Sequence, residues 1–217
     1  MKTELKKRLI TSVFLSLLLF LMFYYTYILI ISLIIISIIS WVEFYGLITK
    51  ILNKKKKVLR LFYRAVSLVY LLILTFFILI TNSSNSETEI FIIYSILISV
   101  MSDIGGIVIG RIFKGKLLTK ISPKKTVSGS IGAFIFSLTL IPIFYSELIN
   151  ISLILLFIIT IIISLTSQLG DLFISYLKRK AKVKNTSDLL PGHGGILDRI
   201  DGIIFSIPIG FLLLNYL

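Results

Sequence analysis

The sequence predicts an all-α integral membrane protein, a helical bundle of about seven transmembrane spans. Hydrophobic residues make up 57% of the 217 positions, and mean hydropathy is +1.03. Several apolar runs reach the roughly 18 residues that a membrane-spanning helix requires. Cysteine is absent, which excludes disulfides and thiolate metal sites. We expect residues 1–217 to form a single membrane domain.

The N-terminal part of the chain, residues 1–89, contains three predicted spans and no recognisable motif. Residues 1–8 are basic like the start of a signal peptide, but the apolar stretch after them is too long and has no cleavage pattern, so we expect a retained span. That stretch, residues 9–49, is long enough for two helices with a tight turn near residues 24–26. A third span is expected over residues 65–80.

Four further spans are expected in residues 90–217, the part of the chain that carries the motifs. They cover residues 90–112, 129–145, 149–177 and 200–217. The third of them is longer than a bilayer requires. It therefore either extends beyond the membrane or breaks near Gly170, where a glycine precedes a charged residue.

Basic residues are confined to a few segments, which predicts the orientation of the spans. All 23 lysines and arginines lie before span one, between spans two and three, between spans four and five, or between spans six and seven. With seven spans these segments share one side, which the positive-inside rule makes cytoplasmic, together with the N-terminus. The net charge of +13 then reflects topology and contact with anionic lipid head groups, as for the lysine run at residues 54–57. We do not expect nucleic acid as a partner.

Acidic residues are scarcer, and some lie inside predicted spans. Asp103 and Asp171 lie about 10 to 12 Å along a helix from the nearest cytoplasmic cation, so each needs a counter-charge, water or a metal ion. For Asp103, a helix-packing salt bridge and a role in a site are both open. For Asp171 we favour a site, because a polar segment begins just after it. Glu43 lies beside Trp41 and Tyr45, so we expect it at the membrane interface.

The polar segment at residues 175–201 combines cations, carboxylates and glycines between two apolar runs. Its cations can hold phosphates, its glycines let backbone N–H groups approach them, and its carboxylates can bind a divalent cation. Asp198 and Asp201 are expected to share one face at the start of the last helix. His193, the only histidine, suits phosphate binding or loop shape better than general-base catalysis. The segment suggests nucleotide or phospholipid chemistry at a membrane surface.

A second polar segment, residues 111–130, is expected on the same side of the membrane. It offers hydroxyl and ammonium donors at Ser122, Lys124, Lys125 and Thr126. By itself a basic loop beside a membrane is a weak signal. Two donor-rich loops on one side, however, could converge on one polyphosphate.

Residues 175–201 resemble the signature of phosphatidate cytidylyltransferases, also called CDP-diacylglycerol synthases. The similar features are a serine, a Lys-Arg pair, a further lysine, Pro-Gly-His-Gly-Gly and Asp-Arg-Ile-Asp. The Gly-Asp-Leu at residues 170–172 and the Ser-Pro-Lys-Lys-Thr at residues 122–126 also resemble that family. Asn185 and Ser128 stand where many relatives have an acidic residue.

The resemblance implies that CTP and phosphatidate react to give CDP-diacylglycerol and pyrophosphate at the cytoplasmic side of a bacterial inner membrane. It implies magnesium, and as a candidate second metal an ion such as K⁺, with Asp171, Asp198 and Asp103 as candidate ligands. The implied catalytic residues are Asp171, Asp198, Lys178, Arg179 and His193. The implied substrate-binding residues are Ser122, Lys124, Lys125, Thr126, Ser175, Lys184, Gly194, Gly195, Arg199 and Asp201.

Several alternatives stay open at this point. A CTP-dependent polyprenol kinase or another lipid cytidylyltransferase would share the cationic loops and the carboxylates. A non-catalytic homologue is suggested by Asn185 and Ser128. An ion-coupled transporter would place polar groups near the membrane midplane and usually has repeated halves, and no repeat is seen here. Assembly as a homodimer is also open.

Overall fold

The computed structural model of the chain describes residues 2–52, 56–84, 86–148 and 150–216, without the side chains of residues 2–8, 23, 82–84, 86 and 87. Across these ranges the regular structure is helical, and the β-type pairing consists of two isolated bridges. The predicted all-α class is confirmed. Lys54 and Lys55 of the lysine run, and Asn85 between the third and fourth predicted spans, lie outside the described residues.

Nine helices occur in the described part of the chain. They are α1 (Lys2–Tyr24), α2 (Thr26–Ile51), α3 (Lys57–Ser84), α4 (Ser86–Phe113), α5 (Val127–Leu138), α6 (Ile141–Phe144), α7 (Leu153–Lys180), α8 (Leu197–Ile200) and α9 (Ile203–Tyr216).

Five helical segments in the described residues are long and apolar enough to cross a membrane. They are Thr26–Ile51, Lys57–Thr81, Thr88–Phe113, Val127–Phe144 and Leu153–Lys180. The apolar part of α1, Leu9–Met22, and the 14-residue α9 are shorter than the other candidates. The chain therefore has the helices of a membrane protein, while the count of seven spans stays a prediction.

The backbone shows that one of the breaks considered in the predicted spans is present and that another is not. The first apolar run divides at Tyr25, whose extended conformation (φ −123°, ψ 104°) separates α1 from α2, so the predicted division into two helices is confirmed. By contrast, α7 continues unbroken through Gly170 to Lys180. A glycine inside a helix costs only about 1 kcal/mol relative to alanine, which a long helix tolerates.

The last predicted span is interrupted at its start. The short helix α8 ends at Ile200, residues 201–202 form a turn, and α9 begins at Ile203. The backbone N–H of Gly202 donates to Asp201 Oδ1 at 3.0 Å, a local bond that competes with helix formation. Asp198 lies in α8 and Asp201 in the turn after it, so the prediction that both lie at the start of one continuous helix was wrong.

The chain folds into two compact units. The first unit comprises Met1–Leu79 and Leu177–Arg199, so it holds α1, α2, most of α3 and nearly all of the polar segment at residues 175–201. The second unit comprises Ile80–Tyr176 and Ile200–Leu217. The expectation of a single domain over residues 1–217, with a boundary at residues 89–90 between its two parts, stays a prediction.

The core of the second unit lies between α4 and α7. Tyr94, Ile98, Leu156, Ile159 and Ile163 are fully buried there. The hydroxyl group of Tyr94 forms a 2.7 Å hydrogen bond with Thr160 Oγ1, so the phenol is satisfied inside the apolar core. This packing fixes α7, the helix that carries Asp171.

Candidate functional site

The polar segments identified in the sequence fall into both units, and each unit is described by itself. In the first unit, the signature loop (residues 181–196) leaves α7 where Lys182 adopts a positive φ of 55°. Lys178, Arg179 and Lys180 form the last turn of α7, where positive charge is favoured by the helix dipole. The loop then leads to α8.

The Pro-Gly-His-Gly-Gly motif of the signature loop folds as a tight hairpin. His193 N donates to Leu190 O at 2.9 Å, which closes a β-turn with Pro191 and Gly192 at its centre. Gly192 has a φ of 78°, and a turn of this kind requires a positive φ at that position. Leu190 and Gly194 exchange two backbone hydrogen bonds of 2.8 and 3.0 Å. The motif is therefore an ordered structure and not a flexible connection.

Asp198 lies at the centre of a hydrogen-bond network in the first unit. Its Oδ1 accepts from Lys178 Nζ at 2.6 Å, and its Oδ2 accepts the backbone N–H groups of Thr186 at 2.8 Å and Gly195 at 3.1 Å. Burial alone would raise the pKa of Asp198, but the bonds from Lys178, Thr186 and Gly195 and the charge of Lys178 outweigh burial and lower it. Asp198 is thus an ionised anchor for both ends of the loop.

Glu43 belongs to this network, although no pattern in the sequence connects it with the loop. Its carboxylate accepts four hydrogen bonds, from Thr186 Oγ1 at 2.8 Å, Ser187 Oγ at 2.6 Å, Ile196 N at 3.1 Å and Leu197 N at 2.8 Å. The residue is only 5% exposed. The signature loop therefore covers Glu43, and its predicted position at the membrane interface stays a prediction.

The aromatic neighbours that suggested an interfacial Glu43 bind a different residue. The Arg64 guanidinium lies 4.7 Å from the ring centroid of Trp41 and 4.8 Å from that of Tyr45. Trp41 Nε1 also donates to the backbone carbonyl of Arg64 at 3.1 Å. These contacts tie α2 to α3. The one feature of the sequence that could have indicated a partner for Glu43 is its position as an acidic side chain inside an apolar run.

The other predicted residues of the first unit have varied surroundings. Arg179 and Lys184 are exposed. Arg199 is exposed too, and its Nη2 donates to the backbone carbonyl of His193 at 2.5 Å. His193 Nε2 lies 3.4 Å from Ser12 Oγ, while its Nδ1 is buried without a hydrogen-bond partner in the described part of the chain. The role of His193 stays a prediction.

In the second unit, Asp171 forms an ion pair with Lys125. Its other oxygen, Oδ1, accepts a long hydrogen bond of 3.3 Å from Ser175 Oγ, one helical turn further along α7. The Asp171 side chain is 25% exposed, so the pair is reachable from solvent. The neighbouring Lys124 is exposed. The structure therefore joins Lys125, Asp171 and Ser175, three of the residues predicted from sequence.

The loop that carries Lys125 is held in place by its own polar groups. Lys125 N donates to Ser122 O at 3.0 Å, which closes a turn with Pro123 at its second position, where proline is favoured. Thr126 is the N-cap of α5, and its Oγ1 accepts from Gly129 N at 3.1 Å. Ser128 Oγ accepts from Gly115 N at 3.2 Å. Thr126 and Ser128 thus have structural tasks whether or not they contact a substrate.

The remaining two acids that were predicted from sequence belong to the second unit as well. Asp103 lies on α4 with an exposed side chain, whereas Asp201 is 7% exposed in the turn before α9. Within the described residues no three His, Cys, Asp or Glu side chains come together as a metal-binding group. Carboxylate oxygens nevertheless are suitable ligands for magnesium. One carboxylate oxygen of Asp171 and one of Asp198 each contact a lysine ammonium, so a cation already lies beside each of these aspartates.

Comparison with known proteins gives concordant matches. A model described as "Cytidylyltransferase family" matches residues 1–217. The chain is 44% identical over 134 residues to a phosphatidate cytidylyltransferase of Staphylococcus saprophyticus, covering 60% of this chain and 51% of that protein. It is 42% identical over 161 residues to that of Rickettsia bellii (68% and 70%), and 48% identical over 116 residues to that of Rickettsia conorii (50% and 50%). The chain spans about half the length of the Staphylococcus saprophyticus and Rickettsia conorii relatives.

Proposed function

Because the chain belongs to the cytidylyltransferase family, we propose that it is a phosphatidate cytidylyltransferase. One observation carries the proposal: the match to the Rickettsia bellii protein of that name extends over 161 residues. This is longer than the stretch from residue 122 to residue 201 that contains the motifs, so the similarity extends beyond the motifs themselves. The substrates would be CTP and phosphatidate.

The reaction would be a transfer of the cytidylyl group. A phosphate oxygen of phosphatidate would attack the α-phosphorus of CTP, the bond from that phosphorus to the oxygen bridging to the β-phosphorus would break, and pyrophosphate would leave. The nucleophile needs no side-chain base, because the second pKa of a phosphomonoester is about 6. Positioning and charge neutralisation should therefore supply most of the rate enhancement.

The cations of the two units suit these tasks in different ways. Lys124, Arg179 and Lys184 are exposed, so phosphate oxygens can reach them directly. Lys125 and Lys178 are already paired with aspartates, and each would need to exchange or share its partner when an anion binds. Such an exchange would couple phosphate binding to the release of a carboxylate.

Magnesium is proposed as the cofactor, with Asp171 and Asp198 as candidate ligands. The absence of a three-residue cluster among the described side chains is compatible with this ion, which is commonly held by one or two carboxylates together with water and substrate phosphates. When bound, it would offset the negative charge of the phosphates. A second metal such as K⁺ remains part of the proposal.

We further propose seven spans with a cytoplasmic N-terminus and a cytoplasmic site, in a bacterial inner membrane. Support comes from the confinement of all 23 basic residues to four segments. The natural lack of cysteine gives a clean background for a test. Lys124→Cys and His193→Cys, made singly in inverted membrane vesicles and intact cells, should both react with an impermeant maleimide from the cytoplasmic side. Labelling from opposite sides would overturn the topology.

The activity is tested by incubating the purified full chain in detergent with CTP, phosphatidate and magnesium. Mass spectrometry should detect CDP-diacylglycerol, and a coupled assay should detect pyrophosphate in equal amount. Formation of CDP with a phosphorylated polyprenol would instead identify a lipid kinase. CTP binding without any product would identify a non-catalytic homologue, and either result would overturn the proposed function.

A further inference from the structure

We propose that Glu43 is a positioning residue for the proposed reaction, a clamp on α2 that holds the signature loop in the conformation that orients Asp198 and Lys178. The expected effect of Glu43 on enzyme kinetics rests on the proposed function, whereas its effect on the conformation of the loop does not. Glu43 lies in the N-terminal part of the chain, which carries no motif of its own. Its partners are 143 to 154 residues away in sequence.

The four hydrogen bonds of Glu43 use its carboxylate completely and symmetrically. Oε1 accepts one hydroxyl, from Ser187, and one backbone amide, from Ile196. Oε2 likewise accepts one hydroxyl, from Thr186, and one backbone amide, from Leu197. The carboxylate thereby joins the beginning of the loop to its end. Only a group with two acceptor oxygens and no donor can satisfy all four donors at once.

The burial of Glu43 indicates that the loop requires an acid at this position. The residue is 5% exposed, and no lysine, arginine or histidine nitrogen lies within ion-pair distance of it among the described side chains. A buried carboxylate without a cation is costly unless hydrogen bonds replace its hydration. Here every such bond comes from the signature loop or the first residue of α8. The acid and the loop therefore depend on each other.

Thr186 connects this clamp to Asp198. Its hydroxyl oxygen lies 2.8 Å from Glu43 Oε2 and 3.0 Å from Asp198 Oδ2, and its backbone N–H donates to the same Asp198 oxygen. Gly195 lies against both acids, since its N–H donates to Asp198 and a Cβ there would come within 2.6 Å of Glu43 Oε1. A shift of Glu43 must therefore disturb the Asp198 carboxylate and the Lys178 ammonium paired with it.

The test compares Glu43→Gln and Glu43→Asp with Glu147→Gln, the same chemical change at an exposed glutamate. Glutamine keeps the shape but turns an NH₂ group toward an amide or hydroxyl donor. We expect Glu43→Gln to raise KM for CTP by about tenfold, with kcat changed less, because a displaced Lys178 would bind the phosphates of CTP less tightly in the ground state and the transition state alike. Glu43→Asp should recover part of this loss, and Glu147→Gln should match the unchanged chain.

A purely structural role would give a different kinetic result. Loss of folded protein lowers the apparent kcat while KM stays constant, so an unchanged KM in Glu43→Gln would overturn the inference. Should Glu43→Gln fail to fold, Thr186→Val serves instead, because it removes the hydroxyl between the two acids and keeps the backbone. It should also raise KM for CTP, and an unchanged KM would again count against the clamp.

Hydrogen exchange separates the clamp from the proposed function. The amides of Ile196 and Leu197 donate directly to Glu43, so Glu43→Gln should speed their exchange in detergent by at least tenfold, with Glu147→Gln unchanged. Unchanged exchange would overturn the clamp whatever the activity is. If the unaltered chain produced no CDP-diacylglycerol while the exchange of these amides responded to Glu43, the function would fail and the clamp would stand.

Discussion

Lys178 and Asp198 stand 20 positions apart in sequence, yet Lys178 Nζ lies 2.6 Å from Asp198 Oδ1. Lys178 is in the last turn of α7, and Asp198 is in α8. The pair therefore closes the whole signature loop at its base, with side chains that are 12% and 6% exposed. An incoming phosphate or metal ion must compete with this contact. Variants of the pair should therefore change both the free energy of unfolding and the activity.

Removing both partners of the pair should cost less than the sum of the costs of removing each one alone. Lys178→Met leaves the Asp198 charge buried, and Asp198→Asn leaves the ammonium without its counter-charge, each at about 3 kcal/mol. The double variant avoids the unpaired charge, so its loss of unfolding free energy should be smaller than the sum. Thermal unfolding in detergent measures this coupling. Additive losses would show that the two groups do not interact, and Asp188→Asn at an exposed position is the control.

Asp171→Ala should abolish magnesium-dependent CTP turnover while leaving membrane insertion intact. The carboxylate pairs with Lys125 and is partly exposed, so its loss removes a proposed metal ligand without opening the core. Removal of magnesium from the unaltered chain with EDTA should give the same loss, and added magnesium should restore only the unaltered chain. Product formation and membrane fractionation are the measurements. Full activity of Asp171→Ala would reject Asp171 as a metal ligand, and Asp188→Ala provides the exposed control.

Gly195→Ala should disrupt the signature loop, whereas Gly46→Ala should not. A Cβ on Gly195 would overlap Thr186 Oγ1 and both carboxylate oxygens of Glu43, while a Cβ on Gly46 in α2 would meet nothing within 4 Å. Gly46→Ala should even favour its helix slightly. Limited proteolysis at the lysines of the loop compares the two variants. Equal protease resistance of Gly195→Ala and the unaltered chain would contradict the close approach of Glu43.

Much of the helical framework could be predicted from local sequence patterns. The length of the first apolar run required a division, and the structure places it at Tyr25. The last helix was harder, because its interruption depends on the bond between Asp201 and the N–H of Gly202, where the apolar pattern alone favours continuation. The length of α7 left two alternatives open, and the structure shows that the helix continues through Gly170.

The candidate site was predictable where residues of one motif contact each other. Lys178, Gly195 and Asp198 all come from the signature, and the structure joins them. Glu43 was not predictable as a partner of this loop, because its contacts arise only when α2 meets a segment more than 140 residues later. Likewise, sequence could not distinguish Lys124, which is exposed, from Lys125, which pairs with Asp171.

The stability that Asp198 contributes should be lost only in strongly acid solution. Its pKa in the folded chain is lower than the ordinary value of 3.8, because the bonds from Lys178, Thr186 and Gly195 outweigh burial. Below pH 3.8 the unfolded chain therefore binds a proton that folded Asp198 still resists, and each further drop in pH favours unfolding until the folded carboxyl is protonated too.

Comparison of the unaltered chain with Asp198→Asn at a series of pH values tests this directly. The difference in unfolding temperature between them should be constant from pH 7 down to about 4 and should shrink only below the ordinary value of 3.8. Asp188→Asn, at an exposed position, should show no such difference at any pH. A difference that already closes between pH 6 and 5 would mean that Asp198 is protonated too easily to be the ionised partner of Lys178.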